Sequence, residues 1–336
     1  MRRWGAGQVV GTVAAGAVGW IVVAALCVMV GSTGNGWPDE GQFQERYPRV
    51  LLASLIGAAL AASGVVYQAI LRNPLAEPFL LGVSSGAALA SYVWRLPVVA
   101  SLFVGMGVGA ALSQQLFAFV GAAAAIAVVF ALSSRGGRIE PLTLLLVGVI
   151  VNVVNAALFL LINEIVRDQS QQATFIVGGI QTPSVVQVVM VSVVCLVGWL
   201  VLMAMSGQLN VALVSEAEAT GLGVRINRLR WVGLVLASLL AASVVAISGP
   251  IGFVGLICPH LVRLAVGNDQ RRLLPLATAA GAALLAAADA VSRMLAQQRF
   301  AGTLLPVGIL TSLMGGPFFL LVLWQSRRRV LGEGGA

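Results

Sequence analysis

The chain has 336 residues, of which 59% are hydrophobic and only 10% charged. A soluble domain carries about 25% charged residues, and here the apolar runs reach the roughly 20 residues that a helix needs to cross a bilayer, so a soluble globular fold is excluded. The net charge is +8 and lysine is absent, so all twenty basic residues are Arg. Because these arginines lie between apolar runs, they point to membrane orientation and not to nucleic-acid binding.

The missing lysine also excludes a G-x-x-x-x-G-K-[ST] phosphate loop and Schiff-base chemistry in this chain. Cys27, Cys195 and Cys258 all fall inside apolar runs without C-x-x-C spacing, which predicts small buried side chains and neither a zinc site nor a disulfide framework.

In chain order, apolar length and breaks at Gly, Pro and charge predict spans near 9–30, 49–71, 77–94, 114–133, 141–163, 185–206, 229–248, 251–267, 273–295 and 304–325. The first run is longer than the 7–15 residues of a signal-peptide core, so it reads as an uncleaved span. The charge-free stretch between Arg95 and Arg135 admits one span with an outer apolar loop, or two short spans split at Gln114-Gln115. Ten spans with both termini cytoplasmic put fourteen arginines inside and six outside, whereas an extra span near residue 105 reverses the bias. The expectation is a single all-α membrane domain over 1–336 with about ten helices. Gly57, Ala61 and Gly64, three to four apart, predict a close helix–helix approach.

Three segments carry the chemistry. In Leu71-Arg72-Asn73-Pro74-Leu75-Ala76-Glu77-Pro78, the prolines end one helix and set the start of the next, with Glu77 favourably placed near a helix N-terminus. Gly249 to Arg263 holds Gly249, Gly252, Gly255, Pro250, Pro259 and the chain's one histidine, His260. So many breakers make a broken helix, tolerated at membrane depth only where it is packed in protein or lines a cavity. In Ala288-Asp289-Ala290-Val291-Ser292-Arg293, the acid and the base are four apart and can pair on one helix face.

At these motifs the chain resembles the permease subunits of type II ATP-binding cassette (ABC) importers for iron-siderophores, haem and cobalamin. The R-N-P-L-A-(D/E)-P…L-G element stands at 72–82, G-x-I-G-F-(V/I)-G-L-x-x-P-H-x-x-R at 249–263, A-D-x-x-x-R at 288–293 and L-P-(V/I)-G-x-x-T-x-x-x-G-x-P-x-F at 305–319.

The resemblance implies the type II permease fold and a transport subunit that is not itself an enzyme and binds no cofactor. It implies a second permease copy, two ATPase subunits that use the ATP on the cytoplasmic side, and a periplasmic or lipid-anchored substrate-binding protein. It further implies residence in the bacterial cytoplasmic membrane. Arg46 and Arg49, in Arg46-Tyr47-Pro48-Arg49, and Arg293 would receive acidic residues of the binding protein. The 207–230 loop, with Glu216, Ala219, Leu222, Gly223 and Arg225, would contact the ATPase. Asn73, Pro74, Gly252, Gly255, Pro259 and His260 belong to the structural or gating motifs.

Two departures stand out. No acid precedes Leu305-Pro306, and Gln171–Thr182 matches the family's short outer helix only at Gly178 and Gly179. Ferric siderophore is the favoured cargo on the breadth of the family, then haem, then cobalamin. A secondary transporter or channel would place ionisable groups mid-span, where these spans offer few beyond the uncharged Asn152 and Asn155. A membrane-embedded enzyme would need a metal cluster or acid–base pair that one His and scattered carboxylates do not supply.

Overall fold

The computed structural model describes residues 6–31, 34–94, 96–105, 110–135, 138–166, 178–180, 185–213, 221, 225–299 and 305–333. Within them lie eleven α-helices: α1 (Ala6–Val28), α2 (Glu40–Ile70), α3 (Val83–Trp94), α4 (Pro97–Gly105), α5 (Ala110–Ser133), α6 (Pro141–Val166), α7 (Val185–Ala212), α8 (Ile226–Ser248), α9 (Val254–Val266), α10 (Gln270–Arg299) and α11 (Val307–Glu333). A 3-10 turn, Pro78–Leu81, precedes α3. Two short antiparallel pairs, β1 (Val30–Gly31) with β2 (Gly34–Asn35) and β3 (Ser134–Arg135) with β4 (Arg138–Ile139), follow α1 and α5.

Ten of these helices coincide with the ten expected spans, and the all-α expectation holds. The eleventh, α4, has nine residues, too short to cross a bilayer, and α5 runs unbroken through Gln114 and Gln115. The charge-free stretch therefore holds one long helix preceded by a short one. Seven helices (α1, α2, α5, α6, α7, α8 and α10) are long and apolar enough to span a membrane, while the apolar parts of α9 and α11 are shorter.

The second helix begins at Glu40, well before the expected start near 49. Asp39 explains the difference: its carboxylate accepts from the Gln42 N–H at 2.7 Å, and Glu40 in the first turn suits the positive end of the helix dipole. Arg46-Tyr47-Pro48-Arg49 therefore lies inside α2 and not in a loop ahead of it.

From Val50 to Ile70 the α2 helix is buried nearly throughout, so it forms the centre around which the others pack. It packs most extensively on α10 and also on α8 and α9. The approach to α10 depends on the absence of side chains: a Cβ at Gly57 would run into the Gly281 carbonyl, and a Cβ at Gly281 into the Gly57 carbonyl and the Ala61 methyl. This is the small-residue packing that Gly57 and Ala61 predict. Gly64 does the same against α9, where a Cβ would strike the Gly255 carbonyl. Polar links tie the crossings laterally: Ser63 Oγ donates to the Ala237 carbonyl at 2.8 Å, Tyr67 and Ser238 share a hydroxyl–hydroxyl hydrogen bond, and Trp199 Nε1 donates to Thr278 Oγ1 at 3.1 Å. Cys27, Cys195 and Cys258 are free and buried, as their apolar settings predict.

By contrast, α1, α6 and α7 turn apolar side chains outward, among them Val18, Leu142, Val153, Val185 and Leu196. Such a surface is suited to lipid or to another protein and not to water. Gly57→Ala is expected to lower stability by about 1–3 kcal/mol, the usual cost of forcing atoms into a filled core. Gly19→Ala, where an added Cβ meets nothing within 4 Å, should leave stability unchanged or slightly raised. Thermal unfolding midpoints of both variants in the same detergent check this, and equal midpoints would contradict it.

Candidate functional site

The turn after α2 is shaped by its own sequence. Leu71 closes the helix, Arg72 takes a left-handed φ of 50°, and Asn73 Oδ1 accepts from the Leu75 N–H at 3.0 Å. Pro74 follows, exposed, and Pro78 opens the 3-10 turn at its first position, as proline's fixed φ favours. Glu77, only 8% exposed, does not cap the helix it precedes. Its Oε1 accepts instead from the backbone N–H of Phe253, the N-cap residue of α9. The residue order suggests that Glu77 serves the helix starting at Pro78; the structure instead joins it to the N-terminus of α9, 176 residues away in the chain.

The break between α8 and α9 falls where Ser248-Gly249-Pro250 predicts. Gly249 ends α8 with φ 68°, its N–H bonded to the Val245 carbonyl at 2.8 Å, and Phe253 begins α9 with φ 69°, a left-handed conformation uncommon for a bulky residue. The thirteen residues of α9 rise only about 20 Å, short of the roughly 30 Å hydrocarbon core. Either this helix starts at membrane depth or it ends there, and free backbone groups at its termini need protein partners. Glu77 supplies one.

Inside α9, Pro259 lacks the N–H that would bond the Gly255 carbonyl one turn earlier. Gln68, buried on α2, donates to that carbonyl from Nε2 at 3.2 Å, and its Oε1 accepts from Arg263 Nη2 at 2.8 Å. His260 packs edge-on against Phe318 of α11, with ring centroids 5.6 Å apart. Gly252 sits half-buried in the joint with open space where a Cβ would be.

The same joint is held from another side by the described segment 178–180. The Gly179 N–H donates to the Ser248 carbonyl at 2.8 Å, Gly178 lies against the Pro250 carbonyl, and the Gly308 N–H at the start of α11 donates to Gly178 at 3.3 Å. Pro250 in turn forms part of the wall of a cavity of about 360 Å³ between α3 and α6. Its polar lining is Ser84, Ser85, Asn152 and Asn155, with no charged side chain among the lining residues. Asn152 Nδ2 donates to the Phe79 carbonyl at 3.0 Å and Asn155 Nδ2 to Ser85 Oγ at 3.0 Å.

Near the start of α2 and the far half of α10, two arginines share one acid and a third lies near the end of α1. Arg49 binds Asp289 through Nε and Nη2, each 3.0 Å from Oδ1, and Arg293 Nε donates to Asp289 Oδ2 at 3.0 Å. The pairing of Asp289 with Arg293 is the one their spacing predicts. Arg293 also donates to the carbonyls of Cys27 and Val30, and Arg46 Nη1 to that of Val28 at 3.4 Å. The Cys27 and Val28 carbonyls end α1, where the helix leaves acceptors unsatisfied and the dipole is negative, and Val30 follows in β1. Arg46, Arg49 and Arg293 are all buried, and their guanidinium groups face this chain's own acceptors.

Of the expected ATPase-facing residues, Glu216, Ala219, Leu222 and Gly223 lie outside the described residues. Arg225 is exposed immediately before α8, and its carbonyl accepts from the Leu229 N–H at 3.0 Å. Helices α7 and α8 extend further than the 207–230 loop suggests. The end of α7 is fixed by Asn210, which donates to Asp269 Oδ1 at 2.8 Å and accepts from the Gln270 N–H at 2.8 Å.

Sequence reasoning missed Gln68, the Arg49–Asp289 pair and the Asn210–Asp269 link. Gln68 had a usable signal: a proline four residues after a glycine inside an apolar helix frees one carbonyl, and a lone amide in a neighbouring apolar helix is a natural donor for it.

A bundle of apolar helices, with a broken helix beside an uncharged cavity and no soluble domain among the described residues, defines a multi-pass membrane protein. The chain belongs to the FecCD transport family, whose model matches residues 9–325. It is 39% identical over 288 residues to the cobalamin import system permease protein BtuC of Halobacterium salinarum, covering 85% of this chain and 74% of that one. It is 37% identical over 294 residues to the hemin transport system permease protein HmuU of Yersinia pestis, covering 85% and 84%. Its fold matches a metal-chelate type ABC transporter in an inward-facing conformation with a TM-score of 0.78 at 30% identity, covering 94% of this chain and 99% of that one. The protein is therefore a membrane-spanning permease subunit of the ABC importer class.

Removing Asp289 would strand two buried guanidinium groups beside each other. Asp289→Ala is expected to cost about 3–5 kcal/mol, as breaking a buried ion pair from one side does. Thermal unfolding of the variant in detergent measures this, and an unshifted midpoint would refute the structural role given to the cluster.

Proposed function

We propose that this permease translocates a chelated metal, with ferric siderophore favoured over haem and cobalamin. The carrying observation is the family match over residues 9–325, together with relatives named for hemin and cobalamin and a structural neighbour described as a metal-chelate transporter. The uncharged cavity beside Pro250 supports the reading. Amides, hydroxyls and apolar groups set no charge requirement on a ligand, leaving selection to a separate binding protein.

In this reading two copies of the chain pair in the bacterial cytoplasmic membrane, with both termini in the cytoplasm. Two ATPase chains bind at the cytoplasmic side, through the 207–230 region. The absence of lysine, and with it of a phosphate loop, supports placing ATP hydrolysis on those partners. Their binding and hydrolysis of ATP shifts the permease between two states, which requires that the ATPase pair favour one state over the other.

Vesicles holding the permease with its cognate ATPase are expected to take up radiolabelled ferric siderophore when ATP is inside and the cognate binding protein outside. Uptake of haem or cobalamin alone would correct the cargo, and ATP-independent uptake would overturn the importer reading.

Docking of the binding protein belongs to the same proposal, at the ends of α2 and α10 that carry Arg46, Arg49 and Arg293. Reversing the charge of Arg49 would set two acids against each other at Asp289, so lost binding in such a variant would report unfolding as well as docking. Arg46→Gln keeps a donor for the Val28 carbonyl and leaves the Arg49–Asp289–Arg293 group in place. It is expected to weaken binding-protein association at least tenfold, measured by surface plasmon resonance on the reconstituted complex, with a thermal midpoint near that of the parent. Unchanged association would remove the docking role of Arg46.

A further inference from the structure

The joint between α8 and α9 meets several separate parts of the molecule. Ser248 and Pro250 meet Gly179 and Gly178, and Gly178 meets the start of α11 at Gly308. The Phe253 ring lies against α11 at Gly315, where a Cβ would collide with it. Pro250 lines the cavity shared by α3 and α6. Whatever fixes the joint therefore fixes part of the cavity wall and one flank of α11.

The joint's own backbone fixes little. Phe253 is left-handed without being glycine, a conformation that persists only when the surroundings enforce it. The N–H groups at the start of α9 have no partners within their own helix. The Phe253 N–H instead meets one buried carboxylate oxygen, from Glu77. That acid sits on irregular chain five residues after Arg72, in a turn whose Arg72 and Pro74 are exposed. Two residues further along, Gln68 takes the Gly255 carbonyl, so α2 and the turn that follows it hold the joint at two nearby points.

We infer that Glu77 is a positioning residue for transport: its carboxylate pins the α8–α9 joint to the exposed turn after α2, so that the turn, the joint and the cavity wall at Pro250 move as one piece. The side-chain oxygen suits the task as an acceptor for the N–H at a helix N-terminus, where partial positive charge favours it. The side chain must also be long enough to reach across from a neighbouring segment, and the turn's Asx bond at Asn73 and the Pro74 and Pro78 rings keep its base from drifting. The inference rests on the transport reading for its consequence and on geometry alone for the contact.

The test uses the full permease assembled with its cognate ATPase in lipid nanodiscs and in vesicles. Glu77→Met keeps the length and the packing and removes the acceptor, while Glu77→Gln keeps an acceptor oxygen. Two readings are taken: amide hydrogen exchange over residues 250–257, and ferric siderophore taken up per ATP hydrolysed. For Glu77→Met, exchange at Phe253 is expected to rise at least tenfold and uptake per ATP to fall at least tenfold, with the complex still assembled and still hydrolysing ATP. Glu77→Gln should recover most of both readings.

Unchanged exchange and unchanged uptake per ATP in Glu77→Met would overturn the inference, as would Glu77→Gln behaving no better than Glu77→Met. Raised exchange with unaltered uptake per ATP would reduce Glu77 to a structural cap and overturn its role in transport. Absence of any uptake by the parent protein would count against the transport reading, whereas the exchange comparison would still decide the contact.

Discussion

A backbone polar group away from water must find a partner in the protein, and this requirement organises the region around α9. The helix begins at a break that leaves the Phe253 N–H free and contains a proline that frees the Gly255 carbonyl. A bilayer offers neither group a water molecule, and each left alone would cost a few kcal/mol. The two partners, Glu77 and Gln68, both come from α2 or from the turn leaving it. They can reach because Gly64 lets α2 run against α9 at Gly255 with no side chain between them. The broken helix, the glycine crossing and the two buried polar side chains are thus one arrangement: remove any one and the others lose their reason.

The arginine cluster around Asp289 solves a related problem by other means. The end of α1 has unpaired carbonyls and carries no basic residue in its last turn. Arg293 and Arg46, from α10 and α2, bring the donors, and Asp289 balances part of the charge thus buried. Two guanidinium groups share one carboxylate, which leaves the cluster positive. The field of that residual charge extends beyond the atoms the guanidinium groups touch, so the docking proposed above does not require them to point outward.

What could be read from the sequence was whatever depends on near neighbours. The break at Ser248-Gly249-Pro250 and the Asp289–Arg293 pair follow from local chemistry, and both stand where the residues predict. So does the small-residue face of α2. The start of α2 was missed because the polar stretch before Arg49 resembles a loop, although Asp39 and Glu40 are good helix starters. The rest fails for one reason: it joins residues distant in the chain. Arg49 and Asp289 are separated by 240 positions and Glu77 and Phe253 by 176. Nothing in the periodicity of either helix announces the partner. Glu77 shows the limit well, since its affinity for a helix N-terminus was legible and the identity of the helix was not.

The distribution of tight and loose packing bears on how such a molecule works. Where α2 crosses α9 and α10, backbone meets backbone at Gly57, Gly64, Gly255 and Gly281, and no side chain is present to rearrange. Contacts of this kind either persist or break outright, so these helices behave as a block. Around the cavity the contacts are side-chain amides and hydroxyls, Asn152 to Phe79 and Asn155 to Ser85, on an α6 helix whose other faces expose apolar groups. Bonds of that type exchange partners at little cost. Packing alone therefore constrains movement most at the α2 crossings and least where side-chain bonds link α6 to its neighbours. The α8–α9 joint stands at the boundary, bound to the block through Gln68 and Glu77 and to the cavity through Pro250. Its irregular backbone is what allows a single segment to belong to both.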